Sequence, residues 1–84
     1  MSEITSLAGA LERALAEAAG ADGRPVAPVS ITLDYGAPGE AARAVVTARV
    51  DRATKSLVFA HGEALLADGR RAASASAVFR ILNS

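Results

Sequence analysis

The chain has 84 residues and a mass of 8.5 kDa, which allows one domain, predicted to span residues 1–84. Nine Lys and Arg balance nine Asp and Glu, which argues against a nucleic-acid partner because such partners require a basic surface. The lack of cysteine excludes disulfides and thiolate metal sites and favours a reducing compartment. No segment resembles a secretory signal or a membrane span, so we expect a cytoplasmic protein with no membrane partner. The usage of alanine and arginine is typical of bacterial proteins.

The first predicted element is a helix over residues 3–19. Its apolar residues recur at spacings of three and four and form one stripe: Ile4, Leu7, Ala8, Leu11, Leu15 and Ala18. Ser2 is the predicted N-cap, and Gly20 stands where a C-terminal cap is expected.

A connector and a strand follow the helix. Residues 20–28 contain two prolines and two glycines, which predict an irregular segment. Residues 29–35 then alternate between apolar and polar types, which predicts a half-buried strand. Its apolar positions are Val29, Ile31, Leu33 and Tyr35.

Three further strands are predicted over residues 42–51, 56–66 and 71–82, with a polar turn at 52–55. Asp68-Gly69 predicts a type I′ hairpin turn between the last two strands. Small and apolar residues alternate along the last strand: Ala73, Ala75, Ala77, Phe79 and Ile81. The prediction is therefore an α+β fold in which one N-terminal helix packs on a four-stranded antiparallel sheet. The 21 alanines allow the helix to approach the sheet closely.

Three stretches resemble the hotdog fold of the thioesterase and dehydratase superfamily. They are the helix at 7–16 followed by the strand at 29–35, the strand–basic hairpin–strand at 48–59, and the Asp-Gly turn with its final strand at 67–81. The resemblance implies a hotdog-like domain that lacks the usual first strand, and a thioesterase-like protein acting on acyl-CoA or another acyl thioester. It implies no cofactor.

The resemblance also suggests a candidate catalytic residue. Thioesterases of the phenylacetate type carry a His-Gly-Gly turn ahead of the helix and a catalytic acid on it, whereas this chain has Glu3-Ile4-Thr5-Ser6 in the place of that turn. The family's Ala-Leu-Ala-Asp stretch, laid on residues 10–13, puts the acid's position at Arg13. Glu12 is the nearest carboxylate and the candidate general base or nucleophile, with a solvated helix flank as its structural alternative.

The resemblance further implies a homo-oligomer, either a dimer or a dimer of dimers. The strand at 29–35 would lie beside the last strand, with Val29, Ile31, Leu33 and Tyr35 at a dimer interface. Basic residues near the turns would meet the phosphates of CoA, the candidates being Arg52, Lys55, Arg70 and Arg71. Ordinary charged turns are the alternative for these four residues.

No metal site is predicted. His61 is the only histidine, and Glu63 is the only obvious ligand near it, so a half-buried strand residue or an interface residue is expected. Two alternatives to a thioesterase remain open: a non-catalytic hotdog-type binding or oligomerisation module, and a small adaptor domain of unrelated α+β fold.

Overall fold

The structure is a computed structural model that describes residues 3–36 and 44–82, with side chains from Leu7 onward. Helix α1 runs over Glu3–Ala19, as predicted from the apolar periodicity. Leu7, Leu11 and Leu15 are buried, which confirms the predicted stripe at these positions. The stripe continues through Ala19, four residues after Leu15, while Ala8 and Ala18 are only half-buried. The predicted cap Ser2 and the side chain of Ile4 lie outside the described part of the chain.

Four antiparallel strands form one sheet beneath the helix. They are β1 (Val26–Tyr35), β2 (Val45–Ala53), β3 (Leu57–Leu65) and β4 (Arg71–Ile81). The order across the sheet is β1-β4-β3-β2, so β1 lies beside the last strand, as predicted. Within the described chain, β1 and β2 are therefore the two edges of the sheet.

Strand β1 begins three residues earlier than predicted. The connector prediction for residues 20–28 is wrong at its end, because Val26, Ala27 and Pro28 already pair with β4. A β-bulge between Pro28 and Ser30 shifts the register there. An edge strand tolerates proline because the missing N–H can face away from the ladder.

Strand β2 also extends beyond its predicted end. Arg52 and Ala53 belong to the strand, although a turn was predicted from residue 52. A second bulge between Val50 and Arg52 inserts Asp51 into this edge. The predicted start of the strand at residue 42 lies outside the described residues.

The core lies between α1 and one face of the sheet. Buried sheet residues alternate along β3 and β4, and the larger of them are Val58, Phe79 and Ile81. Small residues fill the rest of this face, including Ala60, Ala64, Ala73, Ala75 and Ala77. The alternation predicted for the last strand is confirmed. No polar side chain is buried in the described chain.

The same four residues, Ala-Asp-Gly-Arg, form two turns with the same hydrogen bonds. The Asp68 carboxylate accepts hydrogen bonds from the backbone N–H and the guanidinium of Arg70, at 3.0 and 2.6 Å. Asp22 accepts the equivalent bonds from Arg24, at 3.1 and 2.6 Å.

The glycine of each turn, Gly23 or Gly69, has a positive φ of 91° or 88°. Asp68 does not, so the predicted hairpin forms but the predicted type I′ turn is wrong, since that type needs two positive φ angles. The left-handed position after α1 is likewise taken by Gly23 and not by the predicted cap Gly20.

Candidate functional site

The face of the sheet that points away from α1, called here the outer face, is polar across its middle. The strand register aligns two rows of side chains over all four strands. The first row is Thr32, Ser76, His61 and Arg49, and the second is Asp34, Ser74, Glu63 and Thr47. The alternation of strand residues puts these groups on one side because their neighbours in sequence face the helix.

His61 lies at the centre of a three-residue hydrogen-bonded chain. Its Nε2 accepts a hydrogen bond from Nε of Arg49 at 3.1 Å. Its Nδ1 lies 2.6 Å from Oδ1 of Asp51. Because Nε2 accepts, the ring is neutral and its single proton is on Nδ1, where it is donated to Asp51. The bulge that inserts Asp51 into β2 places this carboxylate beside the ring.

A second ion pair lies further along the same face. Nε of Arg71 is 3.0 Å from Oε2 of Glu63. Glu63 is two residues from His61 on β3, so both side chains point to the outer face. Two arginines, two carboxylates and one neutral histidine therefore share this surface.

Four of these five groups, all except Asp51, line a concavity of about 480 Å³. The polar residues that line it include Arg49, His61, Glu63, Arg71, Ser74 and Ser76. We refer to it as the outer-face concavity. Its volume lies within the range of small-molecule sites.

The candidate catalytic residue Glu12 is not part of this concavity. It lies on α1, across the sheet from the outer face, and its side chain is exposed. Its neighbour in sequence, Leu11, is fully buried, which fixes the side of the helix on which Glu12 lies. Within one copy of the chain, Glu12 is open to solvent.

The four candidate phosphate-binding residues do not lie together. Arg52 and Lys55 are at the β2–β3 turn, whereas Arg70 and Arg71 are at the β3–β4 turn. The nine residues of β3 separate the two turns by roughly 27 Å. One phosphate group can therefore meet only one of the two pairs.

The two basic pairs also differ in their contacts. Arg70 and Arg71 bind the carboxylates of Asp68 and Glu63. The guanidinium of Arg52 lies over the ring of Phe59, 5.9 Å from its centre, and Lys55 is exposed. No acidic side chain among the described residues forms an ion pair with Arg52 or Lys55.

The described residues offer neither a metal-binding cluster nor a membrane-spanning helix. No group of three or more His, Asp and Glu side chains in residues 3–36 and 44–82 could hold a metal ion. Helix α1 lacks the length and apolar character needed to cross a membrane.

Comparison with known proteins identifies the fold. No protein-family profile matches the sequence, and no curated protein matches it either. Solved structures do match. The BH2602 protein of Bacillus halodurans, crystallised with CoA, superposes with a TM-score of 0.81 at 18% identity, over 93% of this chain and 57% of its own. The chain has the hotdog fold.

Two further hotdog structures agree with this result. Thioesterase HI1161 of Haemophilus influenzae has a TM-score of 0.79 at 10% identity, over 99% of this chain and 59% of its own. A protein of the thioesterase superfamily is 27% identical, with a TM-score of 0.76, over 93% of this chain and 60% of its own. The chain spans about three fifths of the length of these proteins.

The four residues expected at a hotdog dimer interface lie on the edge strand β1. Val29 and Tyr35 are 55% and 51% exposed. Ile31 and Leu33 are half-buried and pack against the core. The strand thus presents apolar side chains at an edge of the described sheet.

Sequence reasoning missed the chain from Asp51 through His61 to Arg49. The available signal was the hairpin register, because a turn near residue 55 puts position 49 opposite position 61. The insertion of Asp51 by a bulge carries no such signal in the sequence. A bulge depends on the fit of the two strands and not on residue type alone.

Proposed function

We propose that this chain binds acyl-CoA thioesters in a hotdog homodimer and hydrolyses them. The observation that carries the proposal is the match over 93% of the chain to a hotdog structure containing CoA. The match to a thioesterase of the same fold supports the hydrolytic reaction.

Glu12 supplies the carboxylate in this proposal. Thioester hydrolysis requires a base to activate water, or a nucleophile to attack the carbonyl carbon, beside donors that stabilise the oxyanion. Glu12 is the carboxylate nearest in sequence to the position of the helix acid in thioesterases of the phenylacetate type. In this proposal a second copy of the chain covers Glu12, because a carboxylate in bulk water is a weak base and an open site does not keep bulk water from the thioester.

The dimer forms through β1. On its outer side β1 pairs with no other described strand, and it exposes Val29 and Tyr35, which favours strand pairing between two copies.

The proposed compartment is the bacterial cytoplasm, which the lack of cysteine suits.

Arg52 and Lys55 are the pair that meets the CoA phosphates. They form no ion pair with a described carboxylate, whereas Arg70 and Arg71 are held by Asp68 and Glu63. An arginine that stacks on Phe59 keeps its planar N–H groups free to face a phosphate.

A hotdog module that binds CoA without hydrolysis is the second candidate. The exposure of Glu12 in the single chain favours it, because nothing in the described chain desolvates the carboxylate. Both candidates predict CoA binding, but only the thioesterase predicts hydrolysis of the thioester.

The test measures hydrolysis of a panel of acyl-CoA thioesters by the full chain. Glu12→Gln is expected to lower kcat by about a hundredfold or more, the usual contribution of a general base. Glu17→Gln is the matched control, since Glu17 is also exposed on α1, and it should retain activity.

CoA binding is tested separately by thermal shift. CoA is expected to raise the Tm of the wild type, and Arg52→Ala with Lys55→Ala should weaken the effect, whereas Arg70→Ala should not. Protection by CoA without turnover of any thioester selects the binding module. If the chain neither hydrolyses a thioester nor is protected by CoA, both candidates are refuted.

A further inference from the structure

The outer-face concavity plays no part in the proposed thioester site, and its residues point to a different ligand. We propose that it binds a small oxyanion, with phosphate or carboxylate oxygens, held by Arg49, His61 and Ser76, and that His61 takes up a proton when the anion binds. This inference does not rest on the proposed function, because Glu12 and the pair Arg52–Lys55 lie outside the concavity.

Arg49 is the first reason for this assignment. Its Nε donates to the neutral Nε2 of His61, and no described residue accepts a hydrogen bond from its terminal amino groups. A guanidinium fork with free terminal N–H groups matches two oxygens of a carboxylate or phosphate. Ser76 lies directly across the strand pair from His61 and offers a hydroxyl donor on the same face.

The charge of the concavity is the second reason. The lining contains Arg49, Arg71 and Glu63, so it carries one net positive charge when His61 is neutral. A proton on His61 raises the charge of the lining to two, of which Asp51, beside the ring but outside the lining, offsets one. An anion therefore binds best together with that proton.

The geometry allows the anion to bind and His61 to be protonated at the same time. A protonated imidazole donates from Nδ1 to Asp51 and from Nε2 to the anion. Nε2 can then no longer accept from Arg49, so the guanidinium turns from the ring to the same anion. The carboxylate of Asp51, 2.6 Å from Nδ1, stabilises the imidazolium that forms.

Every strand contributes a charged group to the outer face on which His61 lies. Arg49 and Asp51 of β2 contact the ring, whereas Glu63 of β3 and Arg71 of β4 pair with each other further along the same face. Asp34 of β1 lies on the same face, across Ser74 from Glu63. Histidine is the side-chain type that ordinarily changes charge between about pH 5.5 and pH 8, so the experiment varies the pH over this range.

The experiment is an NMR titration of the full chain with sulfate and, separately, with acetate. Both anions keep their charge between about pH 5.5 and pH 8, so any pH dependence belongs to the protein. We expect saturable shifts of the His61 ring and of the Arg49 and Ser76 amides, with affinity about tenfold higher at pH 5.5 than at pH 8. A response to sulfate alone assigns the site to phosphate-like groups, and a response to acetate alone assigns it to carboxylates.

Three variants test which residues bind the anion. Arg49→Gln is expected to weaken binding about tenfold or more, and His61→Gln to abolish the pH dependence. Arg80→Gln is the matched control, because Arg80 is an exposed arginine of β4 outside the concavity, and it should change neither. Absence of saturable shifts at His61, or equal binding by the wild type and Arg49→Gln, overturns the proposal.

Discussion

At the scale of the residue, Gly62 shows how closely β2 and β3 approach. A Cβ at this position would lie 2.7 Å from the carbonyl oxygen of Thr47 and 3.3 Å from Cβ of Ala48. The first contact is with backbone, which cannot move without separating the strands. Glycine at this buried position is therefore required by packing, although its φ is not positive.

We predict that Gly62→Ala destabilises the protein by about 1–3 kcal/mol, the usual cost of overpacking. Alanine normally favours a strand over glycine, but here the steric contact outweighs that gain. Urea denaturation of the variant measures the change in the free energy of unfolding.

Gly9→Ala is the control of opposite sign. Gly9 lies within α1, and the atom nearest to an added methyl group would be the flexible Nη1 of Arg13 at 3.6 Å. Helix propensity then predicts a gain of about 0.5–1 kcal/mol. Equal effects of the two substitutions would contradict the steric account.

How far the sequence predicts single residues depends on what determines their positions. The buried leucines of α1 follow from periodicity alone and were predicted correctly. The requirement for Gly62 and the partners of His61 depend on the contacts of β3 with β2, which are set by register and by the bulge at Asp51. Local sequence patterns do not contain that information.

At the scale of the element, the two Ala-Asp-Gly-Arg turns are stabilised by the same carboxylate arrangement. The backbone N–H of Arg70, and then its guanidinium, lower the pKa of Asp68 below its usual value. Arg24 lowers the pKa of Asp22 in the same way. Each charged carboxylate therefore stabilises the folded state at neutral pH.

This stabilisation has a defined pH window. A carboxyl group whose pKa is lower in the folded state than in the unfolded state contributes fully above its unfolded pKa of about 4. The contribution is lost as the pH falls through the folded pKa. We expect the urea concentration at the midpoint of denaturation to decrease when the pH is lowered below about 4. The decrease should be smaller in the double variant Asp22→Asn, Asp68→Asn.

Arg70→Gln separates the two causes. It removes the guanidinium and keeps the backbone N–H, so the pKa of Asp68 should rise only part of the way to its ordinary value. Carboxyl ¹³C NMR titration measures both aspartates, and Asp22 serves as the unchanged internal reference. Titration of wild-type Asp68 at its ordinary pKa would refute this explanation of the turn.

Prediction of the elements succeeded where one pattern dominates and failed at their ends. The type and order of all five elements follow from hydrophobic periodicity, and the hairpin at Asp68-Gly69 follows from its turn residues. The start of β1 was missed because Pro25 and Pro28 normally indicate a break. Edge strands accept proline, and the sequence alone does not say which strands are edges.

At the scale of the whole molecule, assembly is the property on which the proposed function depends. The 84-residue chain has a small core, and β1 exposes Val29 and Tyr35 at its edge. We predict a dimer of twice the 8.5 kDa chain mass, measured by light scattering at micromolar concentration.

The double variant Val29→Lys, Tyr35→Lys should shift this dimer to monomer, because two like charges on each copy would meet across the strand pair. Val45→Lys is the matched control: Val45 is 62% exposed but lies on the other edge strand, β2, so the dimer should persist. A wild-type monomer, or a dimer lost only in the Val45 variant, would contradict assembly through β1.

The bulges in the two edge strands also limit how copies can associate. In an antiparallel sheet of four strands, β1 and β2 run in opposite directions, so copies related by simple translation could join β1 to β2 without end. The bulges at Pro28–Ser30 and Val50–Arg52 interrupt both ladders and increase the local twist. A growing fibre would have to repeat these mismatches at every junction, whereas a closed two-fold pair meets the β1 irregularity in a single interface.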